Sequence, residues 1–448
     1  MPRYYARQEF FGWLLFDTES HYYVSPSTRE ALAALAIIID ERRMATEAEL
    51  TSISGDAQAA AEAIGWLTNS GCHPDAIEIA TRNPLPAKLS APLNVYFDYT
   101  SVCNLSCTIC YDEPKRAGLK RHTELSLAEI DEVFAQLRRM GVFRVDLAGG
   151  EPILFPEFLL AYLDGARSRK ISVSMTTNAS RLGLELARSI LERDLKTITV
   201  SIDGHTAPLN DEIRGKGSFD KAMIGIQNLL TARKELGART SIAIKYTFRH
   251  TTSPEQIDGY VQLGRSLGVD KVKFNPLRPS GAAAEDRELV SDPPAYYRVL
   301  GEIARMARSY PDVEVSGPIN PTTCFGGRIS HLTDWGCIAG KELMTIDSQG
   351  NVRPCSMMND FVVGNIRSQP LAEIYHRSRL NLLRGLQNEG CSSCPAYKTC
   401  RGGCRVRSQA AGNFFAKDPL CPTDAGQPIV LPPARPVPFE YIGLPHAL

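Results

Sequence analysis

From Leu93 to Pro276 the chain alternates short apolar runs with longer stretches in which apolar residues recur every three or four positions. The short runs are Asn94–Tyr99, Phe143–Ala148, Ile171–Thr177, Thr197–Ile202, Ser241–Phe248 and Lys271–Pro276, and they read as strands. The longer stretches read as amphipathic helices. One begins at Ser126, where Glu129 completes a capping box, and carries Leu127, Ile130, Val133, Phe134 and Leu137 on one face. Six such units in series predict a parallel sheet. Curled into part of a barrel, that sheet has its active site at the carboxyl ends of its strands. The expected fold class is α/β: a partial (β/α)6 TIM-type barrel with a winged-helix-like domain before it and a cysteine-rich domain after it.

The flanking regions have other patterns. Phe10–Phe16 and Tyr22–Val24 predict a hairpin. A helix is expected next, with Ser25 as its N-cap, Pro26 at its first position and Ala31, Leu32, Leu35, Ile38 and Ile39 on its buried face. A second helix is expected from Asp56 to Ser70, stopping at Gly71. The prolines at 84, 86 and 92 mark a linker. Beyond residue 320 long periodic segments are scarce, and the stretch from Gln427 to Pro438 is proline-rich and expected to be extended. The expected domains are residues 1–85, 86–320 and 321–425, followed by a tail, 426–448.

Bulk properties narrow the function. A chain of 448 residues with 50 basic and 50 acidic side chains has no net charge, hence no basic field to hold a nucleic-acid backbone. No apolar run is long enough to span a bilayer, and the N-terminus has no signal-peptide pattern, so a cytoplasmic location is expected. In a reducing compartment the 12 cysteines point to metal or iron–sulfur ligation rather than to disulfides. Cys72 stands apart and reads as a small buried residue. The eight histidines show no i, i+4 metal spacing.

The most informative residues are Cys103, Cys107 and Cys110, spaced C-x3-C-x2-C directly after the first barrel strand and followed by Tyr111. Three thiolates at this spacing can hold three irons of a [4Fe–4S] cluster and leave the fourth open, whereas such clusters ordinarily have four cysteine ligands. A zinc site completed by a distant ligand is the alternative. Gly149-Gly150-Glu151-Pro152 follows the second strand, Thr176-Thr177-Asn178 ends the third, and Ser201-Ile202-Asp203-Gly204 ends the fourth, with Arg214 beyond.

With these motifs the chain resembles the radical SAM superfamily. The resemblance implies that Cys103, Cys107 and Cys110 bind a [4Fe–4S] cluster whose open iron chelates S-adenosylmethionine. Reductive cleavage of that molecule would yield a 5′-deoxyadenosyl radical, which abstracts hydrogen from substrate. It further implies cofactor contacts from Tyr111, Gly149, Gly150, Glu151, Pro152, Thr177, Asn178, Ser201 and Arg214. No catalytic base is singled out among the acidic residues; Glu124, Asp146, Asp203 and Asp211 lie near motif ends.

A second constellation runs from Cys337 through Gly350 to Cys355, then Cys391-x2-Cys394-x5-Cys400-x3-Cys404, and ends at Cys421. It resembles the SPASM extension, which carries two auxiliary iron–sulfur clusters. By that resemblance Cys337, Cys355 and Cys404, with Cys324 as a fourth ligand, hold the first, and Cys391, Cys394, Cys400 and Cys421 hold the second. The N-terminal stretch from Tyr4 to Phe16 looks like the peptide-recognition elements (RRE, PqqD-like) of enzymes that mature ribosomally made peptides; a structural cap on the barrel is the alternative. The function implied is a radical SAM oxidoreductase that oxidatively modifies, and crosslinks, a precursor peptide whose leader binds the N-terminal domain, with a reductase or flavodoxin-type electron donor. The other readings are an enzyme of a cofactor or haem-type tetrapyrrole pathway, sulfatase maturation, and a non-catalytic iron–sulfur carrier.

Overall fold

The computed structural model describes residues 2–82, 84, 88–112, 124–316, 337–377, 379–386, 388–394, 397–421 and 439–442. Cys324, Trp335, Asn83 and residues 85–87 of the linker, and the proline-rich stretch 427–438 lie outside them.

The N-terminal region forms strands β1 (Tyr4–Glu9), β2 (Gly12–Asp17) and β3 (Tyr22–Pro26), helices α1 (Arg29–Ala36), α2 (Glu47–Ser54) and α3 (Ala57–Asn69), and strand β4 (Ile77–Thr81). The three first strands pair antiparallel in sequence order, and β4 joins β1 in parallel. The expected hairpin is thus the second of two. The helix after it starts later than the sequence suggested. Ser25 and Pro26 remain in β3, and the N-cap is Thr28, whose side chain accepts from Ala31 N at 3.2 Å. Proline is tolerated at a strand end, so Pro26 did not require a helix. One face of this sheet packs on α1 and α3 through Trp13, Leu15 and Val24. The other packs on the barrel through Tyr5, Phe16, Tyr23 and Phe143.

A buried ion pair spans that junction. Arg7 sits 2.7 Å from Glu9 and donates to the carbonyls of Ala91, Pro92 and Gly141, while Glu9 accepts from Ser90 N at 2.7 Å. These bonds bring two buried charges out of water without leaving either unpaired. The β2–β3 turn closes the bottom of the barrel, where Lys196 Nζ donates to His21 O at 3.1 Å and lies over the Tyr22 ring.

The barrel follows as β5 (Asn94–Phe97), α4 (Leu127–Arg139), β6 (Arg144–Leu147), α5 (Pro156–Ser168), β7 (Ser172–Thr177), α6 (Leu184–Leu191), β8 (Thr197–Ser201), α7 (Ala207–Arg214), α8 (Ser218–Leu236), β9 (Ser241–Phe248), α9 (Pro254–Leu267) and β10 (Lys271–Pro276). All six strands predicted from sequence are present, pairing in parallel and in chain order. The capping box at Ser126 and Glu129 is formed, and α4 buries Ile130, Val133, Phe134 and Leu137. Strand alternation sorts the side chains: Ile244 and Tyr246 face the helices, so Lys245 faces the barrel interior.

Helix α10 (Pro293–Ser309) follows, and strand β11 (Glu314–Ser316) extends the sheet beyond β10. The cysteine-rich region adds β12 (Leu343–Ile346), β13 (Asn351–Arg353), β14 (Gly364–Asn365), α11 (Leu371–Arg377), α12 (Leu380–Gly385), α13 (Tyr397–Cys400) and α14 (Arg405–Ala410). Strand β12 pairs in parallel with β5, so this region continues the barrel sheet and shares its hydrophobic core. These strands were not legible because two to four residues are too few to display a period. Finally β15 (Phe439–Ile442) returns to pair antiparallel with β3. Among the described residues no helix is long and apolar enough to cross a membrane.

Candidate active site and cluster-binding cysteines

The three-cysteine loop leaves the carboxyl end of β5 and is clamped by backbone bonds from distant elements. Gly150 N donates to Thr100 O and Glu151 N to Val102 O, both at 2.8 Å. Thr108 N donates to Ile213 O in α7 at 3.0 Å, and Ala282 N, beyond β10, donates to Cys110 O at 2.8 Å. Buried Glu124 gathers the start of the loop, accepting from Ser101 N at 2.6 Å and from both the Thr100 and Ser101 hydroxyls. Cys103, Cys107 and Cys110 are therefore carried on a fixed backbone with their side chains partly exposed.

The glycines do more than the sequence indicated. Gly149 has φ +66°, and a Cβ there would lie 2.4 Å from Thr100 O; on Gly150 it would lie 2.2 Å from Val102 O. The close approach in this structure is to the strand end that leads into Cys103. Gly281, with φ +62°, packs as tightly against Cys110 and Tyr111. Asn359 Nδ2 donates to Tyr111 O at 2.8 Å and its Oδ1 accepts from buried Arg353 at 2.7 Å. Gly281, Asn359 and Arg353 were missed in sequence, since they come from segments remote from the motif.

Glu151 is fully enclosed and ties the glycine motif to the end of β7. It accepts from Asn178 N at 2.6 Å and Thr177 Oγ1 at 2.5 Å. Asn178 in turn donates to Asn104 Oδ1 at 3.1 Å and reaches Cys103 Sγ at 3.9 Å. Were Cys103 to ligate a cluster, an N–H so placed would adjust that cluster's potential. Tyr99 donates its hydroxyl to Pro152 O, which fixes the turn after the motif.

Burial pushes the Glu151 carboxyl up to about 7, against the hydrogen bonds it accepts. Asp98, under Gly149, is also raised to about 7 by burial. A carboxyl that holds its proton more tightly when folded stabilises the fold below its ordinary range, and that contribution is lost as pH rises through the folded value. Relative to Glu151→Gln, wild type is expected to lose about 2–3 kcal/mol of stability between pH 4.5 and 7.5. Anaerobic unfolding curves of both proteins across that range check this; parallel pH profiles would refute it.

At the end of β8, Ser201 is buried and sits opposite Lys245 of β9 in the strand register. Arg214 is no surface pair: it lies 2.6 Å from fully buried Asp203, which also accepts from Thr247 N at 2.6 Å. Arg214 Nε is buried with no hydrogen-bond partner among the described residues, and the guanidinium is close enough to Cys107 to feel its charge. Burial and the neighbouring Arg214 push the Lys245 ammonium down to about 8. An orphaned guanidinium nitrogen and a buried ammonium beside the cysteine loop suit a carboxylate. The residues present therefore fit an amino-acid-bearing cofactor there.

The later cysteines fall into two groups. Cys337 feels the charge of Cys404, and Cys355 that of both. Cys391 feels Cys421 and Cys394, and Cys400 feels Cys421. Burial first, and then neighbouring negative groups (Cys337 and Cys404 beside Cys355, Asp418 and Cys421 beside Cys400), push the Cys355 thiol up to about 11 and Cys400 to about 12. Bound iron supplies the positive charge that lets such thiols ionise. Backbone N–H groups of Ala339 and Arg405 point at the Cys337 sulfur, and those of Gly402 and Gly403 at Cys400. The expected ligand sets are thus brought together, except for Cys324, which lies outside the described residues. Among the described residues no disulfide forms, and no three His, Cys, Asp or Glu side chains converge on a single-ion site. A cubane instead spreads its ligands over separate irons.

Asp418 joins the two groups and was not singled out in sequence. It accepts from Cys404 N at 2.8 Å and pairs with buried Arg407, and its carbonyl accepts from Cys421 N at 3.0 Å. Gly403 permits this, since a Cβ there would lie 2.3 Å from Asp418 Cβ. Cys72, outside both groups, is fully buried with its thiol raised to about 12 by burial.

Comparison with known proteins agrees with this arrangement. Residues 98–250 match the Radical SAM superfamily, and residues 337–404 match SPASM, an iron–sulfur cluster-binding domain. Mycofactocin maturase MftC of Mycobacterium tuberculosis is 31% identical over 347 residues, covering 74% of this chain and 82% of the relative. Pre-heme d1 synthase of Dinoroseobacter shibae is 26% identical, covering 78% and 89%. Among solved structures, Streptococcus suis SuiB bound to S-adenosylmethionine superposes with a TM-score of 0.67 at 19% identity, covering 94% of this chain and 99% of that one. SuiB bound to its precursor peptide SuiA gives 0.65 at 18% identity, covering 93% and 97%.

Proposed function

Since this chain belongs to the radical SAM enzymes that carry a SPASM domain, with [4Fe–4S] clusters and S-adenosylmethionine as cofactors, we propose that it matures a ribosomally made precursor peptide by oxidative crosslinking. The observation that carries this reading is the N-terminal sheet. Its outer strand β3 accepts a further antiparallel strand, β15, which is the geometry by which an extended peptide is recognised. Support comes from the relative named a mycofactocin maturase and from SuiB, which shares this fold and binds a precursor peptide.

In this reading Cys103, Cys107 and Cys110 hold the cluster that binds S-adenosylmethionine. Arg214 and Ser201, joined by Lys245, receive the cofactor's carboxylate. Tyr111 and the backbone of Gly149, Gly150, Glu151 and Pro152 line its other side, while Thr177 and Asn178 keep the strand end in place. Cys337, Cys355 and Cys404, completed by Cys324, hold one auxiliary cluster, and Cys391, Cys394, Cys400 and Cys421 the other. When bound, these groups supply a reducing electron, a radical that removes a hydrogen atom, and an acceptor for the electron released as the product bond forms. A reductase or flavodoxin-type protein delivers the first electron in the cytoplasm.

Co-expression with the short reading frame nearest the gene, followed by mass spectrometry, tests the reading. The expected product is a peptide lighter by a pair of hydrogen atoms. An unchanged peptide from an enzyme that cleaves S-adenosylmethionine would overturn it. The similarity to pre-heme d1 synthase supports a second reading, a tetrapyrrole substrate, and conversion of a haem precursor by the same preparation would favour it.

A further inference from the structure

The N-terminal sheet has two edges, and the chain covers both. Strand β4 lies along β1, and residues 439–442 lie along β3. The second contact pairs Phe439 with Pro26, Glu440 with Ser25, Tyr441 with Val24 and Ile442 with Tyr23. Its two sides differ in how firmly they are held. Strand β3 is anchored on both faces. Val24 packs among the helices of its own module, and the Tyr23 hydroxyl accepts from Phe143 N at 3.0 Å. The partner segment is only four residues long, and one of its four pairings is with Pro26, which has no N–H to share. A short antiparallel pair of this kind is marginal by itself and persists through its tether to the rest of the chain. An uncovered β3 would offer a row of unpaired backbone groups to any extended chain.

We propose that residues 439–442 are a built-in stand-in for the guest strand. They cap the edge of β3 while the module is empty and give way when the extended leader of a precursor peptide pairs there. The inference rests on the reading of the N-terminal module as a peptide-recognition element. The partner is defined by its chemistry: an extended segment running antiparallel to Tyr23–Pro26, bound chiefly through its main chain.

Three anaerobically reconstituted proteins test this: the full chain, a chain ending at residue 436, and the full-length double variant Phe439→Pro, Tyr441→Pro. Hydrogen exchange over β3 is read first, with no peptide present. Both variants should exchange there at least tenfold faster than the full chain, with α4 and β6 unchanged. A fluorescein-labelled peptide of residues 437–444 should slow that exchange again in the shortened chain and leave the full chain unaffected. The precursor peptide of the co-expression experiment should bind the shortened chain about tenfold more tightly than the full one. Unaltered β3 exchange on shortening would overturn the role of residues 439–442 and leave the peptide-recognition reading standing. Faster exchange with equal precursor affinities would overturn the competition. A precursor that binds without protecting β3 in the shortened chain would overturn the recognition reading, and the exchange proposal with it.

Discussion

Replacing Cys103, Cys107 and Cys110 together with Ala is expected to abolish reductive cleavage of S-adenosylmethionine, lowering 5′-deoxyadenosine formation by about 1,000-fold or more. The expectation follows from where the thiols sit. The loop is clamped through Gly150, Glu151, Ile213 and Ala282, and its start is held by Glu124, all through backbone or hydroxyl groups that the substitutions leave intact. The variant should therefore fold and still carry both auxiliary clusters, whose cysteines belong to other elements. Iron content should fall by about one third, because one cluster of three is lost. Iron analysis and chromatography of the nucleoside products measure both quantities. Undiminished iron would mean that these cysteines hold no cluster.

The second large effect concerns the auxiliary sites. Cys394→Ala with Cys400→Ala should leave S-adenosylmethionine cleavage within about twofold of wild type and reduce peptide product by about 100-fold or more. The two cysteines belong to the group gathered around Cys421, in a segment remote along the chain from the loop carrying Cys103. Generation of the radical and disposal of the product electron would then be separable. Asp418 couples this group to Cys404, so iron analysis is again the control, and a loss beyond about one third would show that the first auxiliary cluster had been disturbed. Wild-type product yield from the double variant would remove the auxiliary cluster from the reaction.

Much of the architecture was legible because barrel strands and helices have strong periods. Lys271–Pro276 and Ser241–Phe248 appear with the bounds their apolar runs suggested, and the Ser126–Glu129 capping box marks its helix start. The N-terminal helix was placed too early because Ser25-Pro26 has the local pattern of a helix start, whereas the folded chain keeps both in β3 and caps the helix with Thr28. Candidate ligands were legible for a different reason. Cysteine spacing is a local property, and local spacing limits which sulfurs can reach one cluster.

Sequence by itself therefore determined the six-strand barrel, the three-cysteine motif and the ordering of the later cysteines, all of which depend on residues near one another along the chain. Tertiary structure alone decided what supports them. Glu151 joining two strand ends, Asn359 and Gly281 bracing Tyr111, Asp418 bridging Cys404 and Cys421, and the seat of residues 439–442 on β3 are contacts between remote segments. Such contacts leave no periodic trace, because they depend on a specific pair of groups that only the folded chain brings together, where the bond formed offsets the cost of burying them.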